Sequence, residues 1–200
     1  ETYFKEKRTL FLKDADIFKT PLEIFYSRRI GDSDWQTVIV DKTKCSFCED
    51  IDTTYDYITI PYNIKTAGKW TGKTIKGLSY GLLGAITTPT FPNRDSTLYP
   101  DNNDWVTQMG KMKDKNYLVG RIKQDLFSGN SYIGFMSTSH MENSAHTMSV
   151  DGMANFFDNQ IGLNSQILMT ANEHKGIYSG VSFSPPGIIS GWIDYYYYDR

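Results

Sequence analysis

The sequence predicts an all-β fold: an antiparallel, up-and-down transmembrane β-barrel of the outer-membrane type, of which this chain forms a segment. The first observation is a period of two in hydrophobicity across eight consecutive segments between Tyr62 and Tyr198, which is typical of strands with one apolar face. The second is that each segment has about ten residues, close to the length that a tilted strand needs to cross a bilayer and longer than most soluble strands. The third is that tight and long connections alternate, as they do in outer-membrane barrels.

The first two predicted strands form a β-hairpin over 62–88 that turns between Lys73 and Gly77. Part of it, AGKWTGKT at 67–74, satisfies the loose form of the phosphate-binding loop, with alanine in place of the first glycine. That loop needs a helix after it, whose free N-terminal amides face the phosphates. The following residues contain three glycines and alternate between two faces, and in a helix each glycine would cost about 1 kcal/mol relative to alanine. The sequence therefore predicts no helix within 74–86 and excludes a nucleotide site.

Six further predicted strands follow in chain order, with tight turns near Phe127, Phe157 and Pro185. Before them, the stretch 89–115 is rich in proline, aspartate and asparagine and is predicted as a long surface loop. We expect neighbours in chain order to pair antiparallel. The six strands are predicted at 116–126, 131–140, 147–157, 160–171, 177–184 and 188–198.

The apolar side chains of these strands are predicted to share one face and, in a membrane, to point outward into lipid. In a soluble β-sandwich, which is the alternative architecture, the same side chains would be buried. The tyrosines at 195–198 would suit the aromatic girdle of a barrel. The side chains expected on the outward face are Leu78, Tyr80, Leu82, Ile86, Met148, Val150, Ile161, Leu163, Ile189 and Ile193.

The first 61 residues are predicted as an initial segment, followed by the barrel strands of 62–200. Within this segment, 22–31 is predicted as a strand that carries two adjacent arginines, Arg28 and Arg29. The chain starts without an initiator methionine or a signal peptide and stops just after a predicted strand. We therefore expect it to be a segment of a longer protein.

The cysteines and the charge balance argue against several classes of function. Cys45 and Cys48 form a single CxxC motif, which cannot complete a four-ligand zinc site and is not followed by the helix of a thioredoxin-type site. Two plain loop cysteines are the preferred interpretation, and a strained loop disulfide is the alternative. With 21 basic and 23 acidic residues the net charge is −2, so the sequence gives no reason to expect a nucleic-acid partner. No motif indicates a cofactor.

Several long motifs resemble one family of proteins. They are EKRTLFLKDADIF at 6–18, FYSRRIGD at 25–32, AGKWTGKT at 67–74 and YLVGRIKQDLFSGNSYIGFMST at 117–138, in the family's own order. The family consists of large outer-membrane proteins of Gram-negative bacteria, which join an N-terminal domain like carbohydrate-binding module family 9 to a C-terminal domain of unknown function predicted to be a β-barrel. The resemblance covers most of the chain.

The chain differs from the family's usual sequence at four positions of the first motif. Thr9 and Leu10 stand where proline and phenylalanine are usual, and Lys13 and Asp14 stand where glutamate and glycine are usual. The resemblance implies that the chain is part of the barrel domain, that it lies in outer-membrane lipid, and that the carbohydrate-binding module lies outside these residues. It also implies a glycan ligand and other outer-membrane proteins as possible partners.

The candidate site residues are charged side chains on the strand faces opposite the apolar ones, where a barrel would have its lumen. The preferred interpretation is a lattice of salt bridges that braces the interior, because barrel interiors are ordinarily polar. The alternative is a basic lumen wall that attracts anionic or sugar-like solutes. Arg121 in particular is expected to be held by an acidic partner on a neighbouring strand or by the N-terminal segment. The candidates are Lys65, Lys69, Arg121, Lys123, Asp125, Asp151 and Asp194.

A second candidate site lies in the predicted loop 89–115, where Asp101, Asp104 and Trp105 could hold a cation or a glycan. A solvated loop without a ligand has the same composition and is the ordinary alternative.

Three classes of function stay open. The first is solute passage or surface glycan handling together with an upstream carbohydrate-binding module. The second is a structural or assembly barrel that anchors partner proteins. The third is a membrane-associated glycan hydrolase, but the sequence shows no catalytic constellation, since carboxylates such as Asp14 and Asp16 have no special setting.

Overall fold

The structure, a computed structural model, describes residues 7–41, 53–90, 97–98, 105–109, 113–141, 145–187 and 190–199. These residues are mostly antiparallel β-structure in two sheets. The helical elements within them are a short α-helix, α1 (Thr9–Leu12), and 3-10 helices at Ala15–Phe18, Ser27–Arg29 and Phe127–Gly129. The strands are β1 (Asp34–Asp41), β2 (Thr53–Ile60), β3 (Tyr62–Lys73), β4 (Leu78–Pro89), β5 (Thr97–Leu98), β6 (Trp105–Met109), β7 (Lys115–Leu126), β8 (Ser131–His140), β9 (Ala145–Phe156), β10 (Ile161–Thr170), β11 (Lys175–Phe183) and β12 (Gly191–Tyr198).

Eight of these strands form one antiparallel sheet in the order β12-β11-β10-β9-β8-β7-β4-β3. The register between neighbours is continuous, for example over the ten residues from Tyr117 to Leu126 on β7. The eight predicted strands between Tyr62 and Tyr198, their antiparallel pairing and their up-and-down order are therefore confirmed. Among the described residues β3 and β12 are the edges of an open sheet, so closure into a barrel stays a prediction.

The first hairpin of this sheet turns at 74–77, between β3 and β4. The N–H of Thr74 donates to the carbonyl of Leu78 at 2.8 Å, and the N–H of Gly77 donates to the carbonyl of Thr74 at 3.0 Å. Gly77 has a φ of +82°, a left-handed conformation that glycine adopts without a steric penalty. Strand β4 occupies the place where a phosphate-binding loop would need its helix, so the prediction that no helix forms within 74–86 is confirmed.

Side chains alternate between two faces of the eight-stranded sheet, as expected for strands. Along β4 every second residue is buried, starting from Ser79. We call the buried side the covered face; it carries Ser79, Gly81, Leu83, Arg121, Gly134, Asp151 and Gln166. We call the opposite side the exposed face; it carries Leu82, Ile122, Phe135, Val150, Ile167 and Ile177.

The apolar side chains that the sequence analysis expected to point outward lie mostly at the surface. Ile189 lies outside the described residues. Leu78, Tyr80 and Ile161 are half-buried. The exposed members of this set are Leu82, Ile86, Met148, Val150, Leu163 and Ile193.

The chain divides into two compact units. One comprises Glu1–Ser27, Ala67–Ala85 and Asn116–Arg200, and the other comprises Arg28–Thr66 and Ile86–Lys115. The second unit contains a sheet of four strands in the order β2-β1-β6-β5.

The four-stranded sheet corrects two expectations. The initial segment of 61 residues contains strands β1 and β2, paired antiparallel from Asp34 opposite Ile60, which the sequence analysis did not predict. The expectation that 89–115 is only a loop is wrong where β5 and β6 form. The composition of this stretch indicated a loop, but β6 pairs with β1, which lies far earlier in the chain. Local composition does not report such a long-range pairing.

The predicted strand at 22–31 is also wrong, because this stretch has no strand and contains the 3-10 helix Ser27–Arg29. A strand needs backbone partners along its length. The N–H of Leu22 instead donates to the side-chain oxygen Oε1 of Gln166 at 2.5 Å. Gly31, at the other end, turns the chain with a φ of +83°.

Candidate functional site

Residues 7–27, which we call the covering segment, lie against the covered face within the first unit. Phe11 and Phe18 are buried there, each with 5% of its surface exposed. The ring of Phe18 approaches the backbone of β4 so closely that a Cβ atom on Gly81 would lie 2.8 Å from its Cζ. A glycine within a strand often marks such a close approach, and here it makes room for the covering segment.

Side-chain hydrogen bonds connect the covering segment to two strands that lie far apart in the sheet, β3 and β10. On β3, the ammonium group of Lys69 donates to the carbonyl of Lys13, and the hydroxyl of Thr71 donates to Asp14 Oδ2 at 3.1 Å. On β10, Gln166 accepts the hydrogen bond from the segment's backbone described above. Because four strands lie between β3 and β10 in the sheet order, the covering segment crosses the face.

A buried ion pair lies in the centre of the covered face. Both Nη atoms of Arg121 donate to the carboxylate of Asp151, the Nη2–Oδ2 distance being 2.7 Å. Each residue has 2% of its surface exposed. Bidentate pairs of this kind are stronger than single charged hydrogen bonds. Asp151 is therefore the acidic partner that the sequence analysis expected for Arg121.

The ion pair spans an intervening strand, because Arg121 is on β7 and Asp151 is on β9. Gly134 on β8 lies between them: it pairs with Asp151 across the sheet, and a Cβ atom on it would lie 2.6 Å from Arg121 Nη2. The absence of a side chain at this position lets the guanidinium pass over β8.

Some buried polar atoms near the ion pair have no hydrogen-bond partner among the described residues. They are Arg121 Nε, Ser149 Oγ and Gln166 Nε2. Buried polar groups are ordinarily paired. The covered face therefore keeps hydrogen-bonding capacity that the covering segment does not use.

Two further candidates from β7 have separate partners. The ammonium group of Lys123 lies 4.2 Å from the ring centre of Tyr132, a cation–π arrangement. Asp125 forms an ion pair with Lys73 at 2.5 Å. These side chains do not join the buried pair, so the candidate residues form several local interactions.

Asp194 and Lys65 lie apart from this group. Asp194 accepts a hydrogen bond from the Tyr178 hydroxyl at 3.0 Å. Lys65 is exposed and lies 3.5 Å from Asp114 within the second unit. A surface pair of this kind contributes little stability.

Several cavities adjoin the covering segment. One, of about 430 Å³, which we call the polar cavity, has a partly polar lining that includes Asp14, Asp16, Thr71, Lys73 and Lys123. Side chains of both signs line it, which suits a small, charged, water-soluble compound. The ammonium group of Lys19 lowers the pKa of Asp16 through a hydrogen bond and through its charge, so this carboxylate is ionised at neutral pH.

Another cavity, of about 360 Å³, has a mostly apolar lining and lies between the covering segment and Leu83. Phe11, Phe18, Phe25 and Tyr26 line much of it, and the rings of Phe18 and Phe25 meet edge to face at 5.8 Å. Such packing helps to fix the segment in place.

The predicted loop site and the cysteines are not part of this arrangement. Asp101, Asp104, Cys45 and Cys48 lie outside the described residues, and Trp105 opens strand β6. In the part of the chain that the structure describes, no group of three or more His, Cys, Asp or Glu side chains could hold a metal ion. No helix within the same part is long and apolar enough to cross a membrane.

A family described as Domain of unknown function (DUF5916) matches residues 1–182. The chain belongs to this family. Comparisons with curated proteins and with solved structures found no match. The resemblance drawn from the sequence motifs is confirmed as far as a domain of unknown function, and the outer-membrane location and the upstream carbohydrate-binding module stay predictions.

The sequence pattern of this DUF5916 chain does not indicate the covering segment. Strand glycines were the available signal, because a glycine in a strand interior often marks the close approach of another group. Gly81 faces Phe18, and Gly134 faces the Arg121 guanidinium. The periodicity of the strands assigned these glycines to a face but did not indicate what lies against them.

Proposed function

We propose that this chain forms part of an outer-membrane β-barrel that passes solutes, with the exposed face toward lipid and the covered face toward the lumen. The observation that carries the proposal is a row of apolar side chains on the exposed face. Each of five neighbouring strands contributes one, and they lie side by side at paired register positions. They are between 37% and 59% exposed. Their order across the sheet is Ile122, Phe135, Val150, Ile167 and Ile177.

Further apolar residues extend this row on both sides, with Met148 next to Met169 and Leu163 next to Val181. Soluble monomers rarely expose a contiguous apolar patch of this extent. Burying the exposed half of each such side chain in hydrocarbon would contribute on the order of 1 kcal/mol. The exposed face is therefore suited to an apolar surrounding.

The opposite polarity of the two faces supports the same proposal. A sheet of a soluble protein buries its apolar face and leaves its polar face in water. Here the buried face holds an ion pair, Arg121 with Asp151, beside apolar residues such as Leu83 and Met136, while isoleucine, valine and phenylalanine are exposed on the other face. Outer-membrane barrels alternate apolar residues outward with polar residues inward.

The ends of the strands also fit a membrane. Tight turns join β7 to β8 and β9 to β10. Exposed aromatic side chains collect at this end of the sheet: Phe127 and Phe157 are more than 70% exposed, and Phe156 and Phe183 are nearly half exposed. Aromatic girdles at the bilayer interface have this composition.

The solutes that fit the covered face are anionic or sugar-like, because lysines and an arginine occur there beside polar side chains. The second role that we propose for the same barrel is surface glycan handling together with an upstream carbohydrate-binding module. This role rests on the family resemblance. The alternative is a closed barrel that anchors partner proteins. It is favoured by one observation, that the covering segment and the buried ion pair fill the covered face.

Spin labels on the full-length protein in liposomes test the membrane assignment. The labels are placed at Leu82→Cys and Val150→Cys in a background in which Cys45 and Cys48 are replaced by serine. We expect both labels to be relaxed by oxygen, which dissolves in lipid, more than by a water-soluble nickel chelate. A label at Lys123→Cys on the covered face serves as the matched control and should show the reverse. Preferential relaxation of the Leu82 and Val150 labels by the nickel chelate would contradict the assignment.

Liposome swelling then separates passage from anchoring. The reconstituted wild-type protein should admit small anions or sugars at a rate above that of empty liposomes. A correctly folded protein that admits neither would favour the anchoring alternative.

A further inference from the structure

The covering segment is attached to the sheet differently from the way the strands are attached to each other. The strands are joined by continuous backbone pairing, as β9 and β10 are over ten residue pairs. None of residues 7–27 belongs to a strand, so no backbone ladder holds this segment. Three of its connections run through the side chains of Lys69, Thr71 and Gln166. The buried rings of Phe11 and Phe18 also hold it, but a segment without a backbone ladder can open while the strands beneath it stay paired.

The surface beneath the covering segment gains hydrogen bonds if the segment leaves. Arg121 Nε, Ser149 Oγ and Gln166 Nε2 are buried without a partner in the described part of the chain. Water supplies partners to a polar group that is uncovered, so these atoms can bind solvent or a solute once the segment leaves.

Departure of the segment also changes the charge of the polar cavity. Asp14 and Asp16 come from the covering segment, while Lys73 and Lys123 come from the sheet. All four side chains line the same cavity of about 430 Å³. When the segment moves away, its two carboxylates move with it, so the cavity lining becomes more positive. Lys123 stays without a carboxylate partner among the described residues, while Lys73 keeps its ion pair with Asp125 on β7. A surface that has become more positive attracts anions.

We propose that the covering segment is a gate over the covered face and that the surface it uncovers selects small inorganic and organic anions. This inference rests on the proposed function, because a gate requires a lumen. The segment closes the path while its side-chain hydrogen bonds and the contact of Phe18 with Gly81 hold it. Its displacement opens the path past Lys73 and Lys123.

A disulfide between the segment and β3 tests the gate. Asp14→Cys and Thr71→Cys suit this lock, because the side-chain oxygens of the native residues are 3.1 Å apart. The full-length protein, with Cys45 and Cys48 replaced by serine, is reconstituted in liposomes, and chloride flux is measured. We expect oxidation to lower the flux at least about tenfold relative to the reduced form, since the lock shifts the equilibrium between closed and open states.

The two single-cysteine variants, oxidised in the same way, are the matched controls, and their flux should not respond to the oxidant. A second variant, Lys69→Met, keeps the test valid if the first pair fails to fold, because it removes the hydrogen bond to the Lys13 carbonyl and should raise the chloride flux; an unchanged flux would contradict the gate. Equal flux in the oxidised and reduced forms of a folded, fully cross-linked protein would overturn the gate. The gate is also overturned if neither the oxidised nor the reduced form conducts chloride. Because the spin labels at Leu82 and Val150 report lipid contact independently, failure of the gate is distinguishable from failure of the barrel.

The reversal potential in a potassium chloride gradient tests the selectivity. We expect the reduced protein to prefer chloride, and Lys123→Gln to lower the chloride-to-potassium permeability ratio at least about twofold. Lys175→Gln is the matched control and should leave the ratio unchanged. Lys175 lies at the end of β11, opposite Met169, and so belongs to the exposed face. A preference for potassium in the reduced protein would contradict the anion-selective path.

Discussion

Replacing Arg121 by alanine should lower the free energy of unfolding of the full-length protein by about 3–5 kcal/mol, because it leaves a buried carboxylate without its counterion. Asp151 has 2% of its surface exposed and accepts hydrogen bonds from both Nη atoms of Arg121. The measurement is urea unfolding of the reconstituted protein, followed by the mobility shift between folded and unfolded forms in gels. The folded yield should fall together with the stability.

Two matched variants isolate the cause. Lys123→Ala removes a cation from the same strand and face, but one that contacts the ring of Tyr132, and should cost about 1 kcal/mol or less. The double variant Arg121→Met/Asp151→Leu removes both charges and should regain most of the loss, because apolar replacements of a buried pair are often neutral or stabilising. If Arg121→Ala folds normally and instead changes the permeability to anions, then the pair does not brace the sheet and Arg121 is part of the solute path.

Gly134→Ala should be nearly as damaging as the loss of the arginine. The new methyl group would lie 2.6 and 2.7 Å from the two Nη atoms of Arg121, closer than non-bonded atoms approach. The guanidinium would have to move away from Asp151, which weakens a pair that is out of reach of water. We expect a loss of about 2–4 kcal/mol in the free energy of unfolding, as for other disrupted buried ion pairs.

Gly120→Ala is the matched control, since it is a strand glycine on the neighbouring strand β7 with no atom within 4 Å of an added Cβ. It should be neutral or should stabilise the protein by roughly 0.5–1 kcal/mol, because alanine loses less backbone entropy on folding. In an Arg121→Ala background, Gly134→Ala should lower the free energy of unfolding only slightly, because the guanidinium that the new methyl group would displace is absent. A double-mutant cycle measures this coupling. A cost that persists in that background would show that the methyl group clashes elsewhere.

These two predictions and the gate concern different parts of the covered face. The ion pair joins β7 to β9 and belongs to the sheet itself, so its loss should affect folding. The covering segment lies over that sheet and is attached through side chains, so its displacement should affect passage and leave the strands paired. Comparing the Arg121 variants with the disulfide-locked protein therefore separates the brace from the gate.

The period-two pattern was sufficient to predict the eight-stranded sheet and the two faces of its strands. It succeeded because large apolar side chains recur on one side of a strand, as Leu78, Tyr80, Leu82 and Ile86 do on β4, and this alternation is visible in the local sequence. The pattern also brought Arg121 and Asp151 to the same face. It did not report that they pair, since the contact crosses β8 and depends on the absence of a side chain at Gly134.

The errors have a common cause. Residues 22–27 of the predicted strand carry apolar and aromatic side chains suited to a strand, but they are part of the covering segment, with Leu22 held by a side chain of β10. Strand β6 lies in a stretch whose composition indicates a loop, and its partner β1 is distant in sequence. In both cases the partner, and not the local pattern, decides the conformation.

The sequence by itself determined the eight strands of the larger sheet, their order and the alternation of their two faces, because side-chain alternation and turn residues act over short distances. The tertiary structure alone decided that residues 7–27 lie on the covered face, that Arg121 reaches Asp151 over Gly134, and that Asp14 and Asp16 share a cavity with Lys73 and Lys123. These features depend on close approach between segments far apart in the chain, where the size of one side chain and the position of one charge determine what fits.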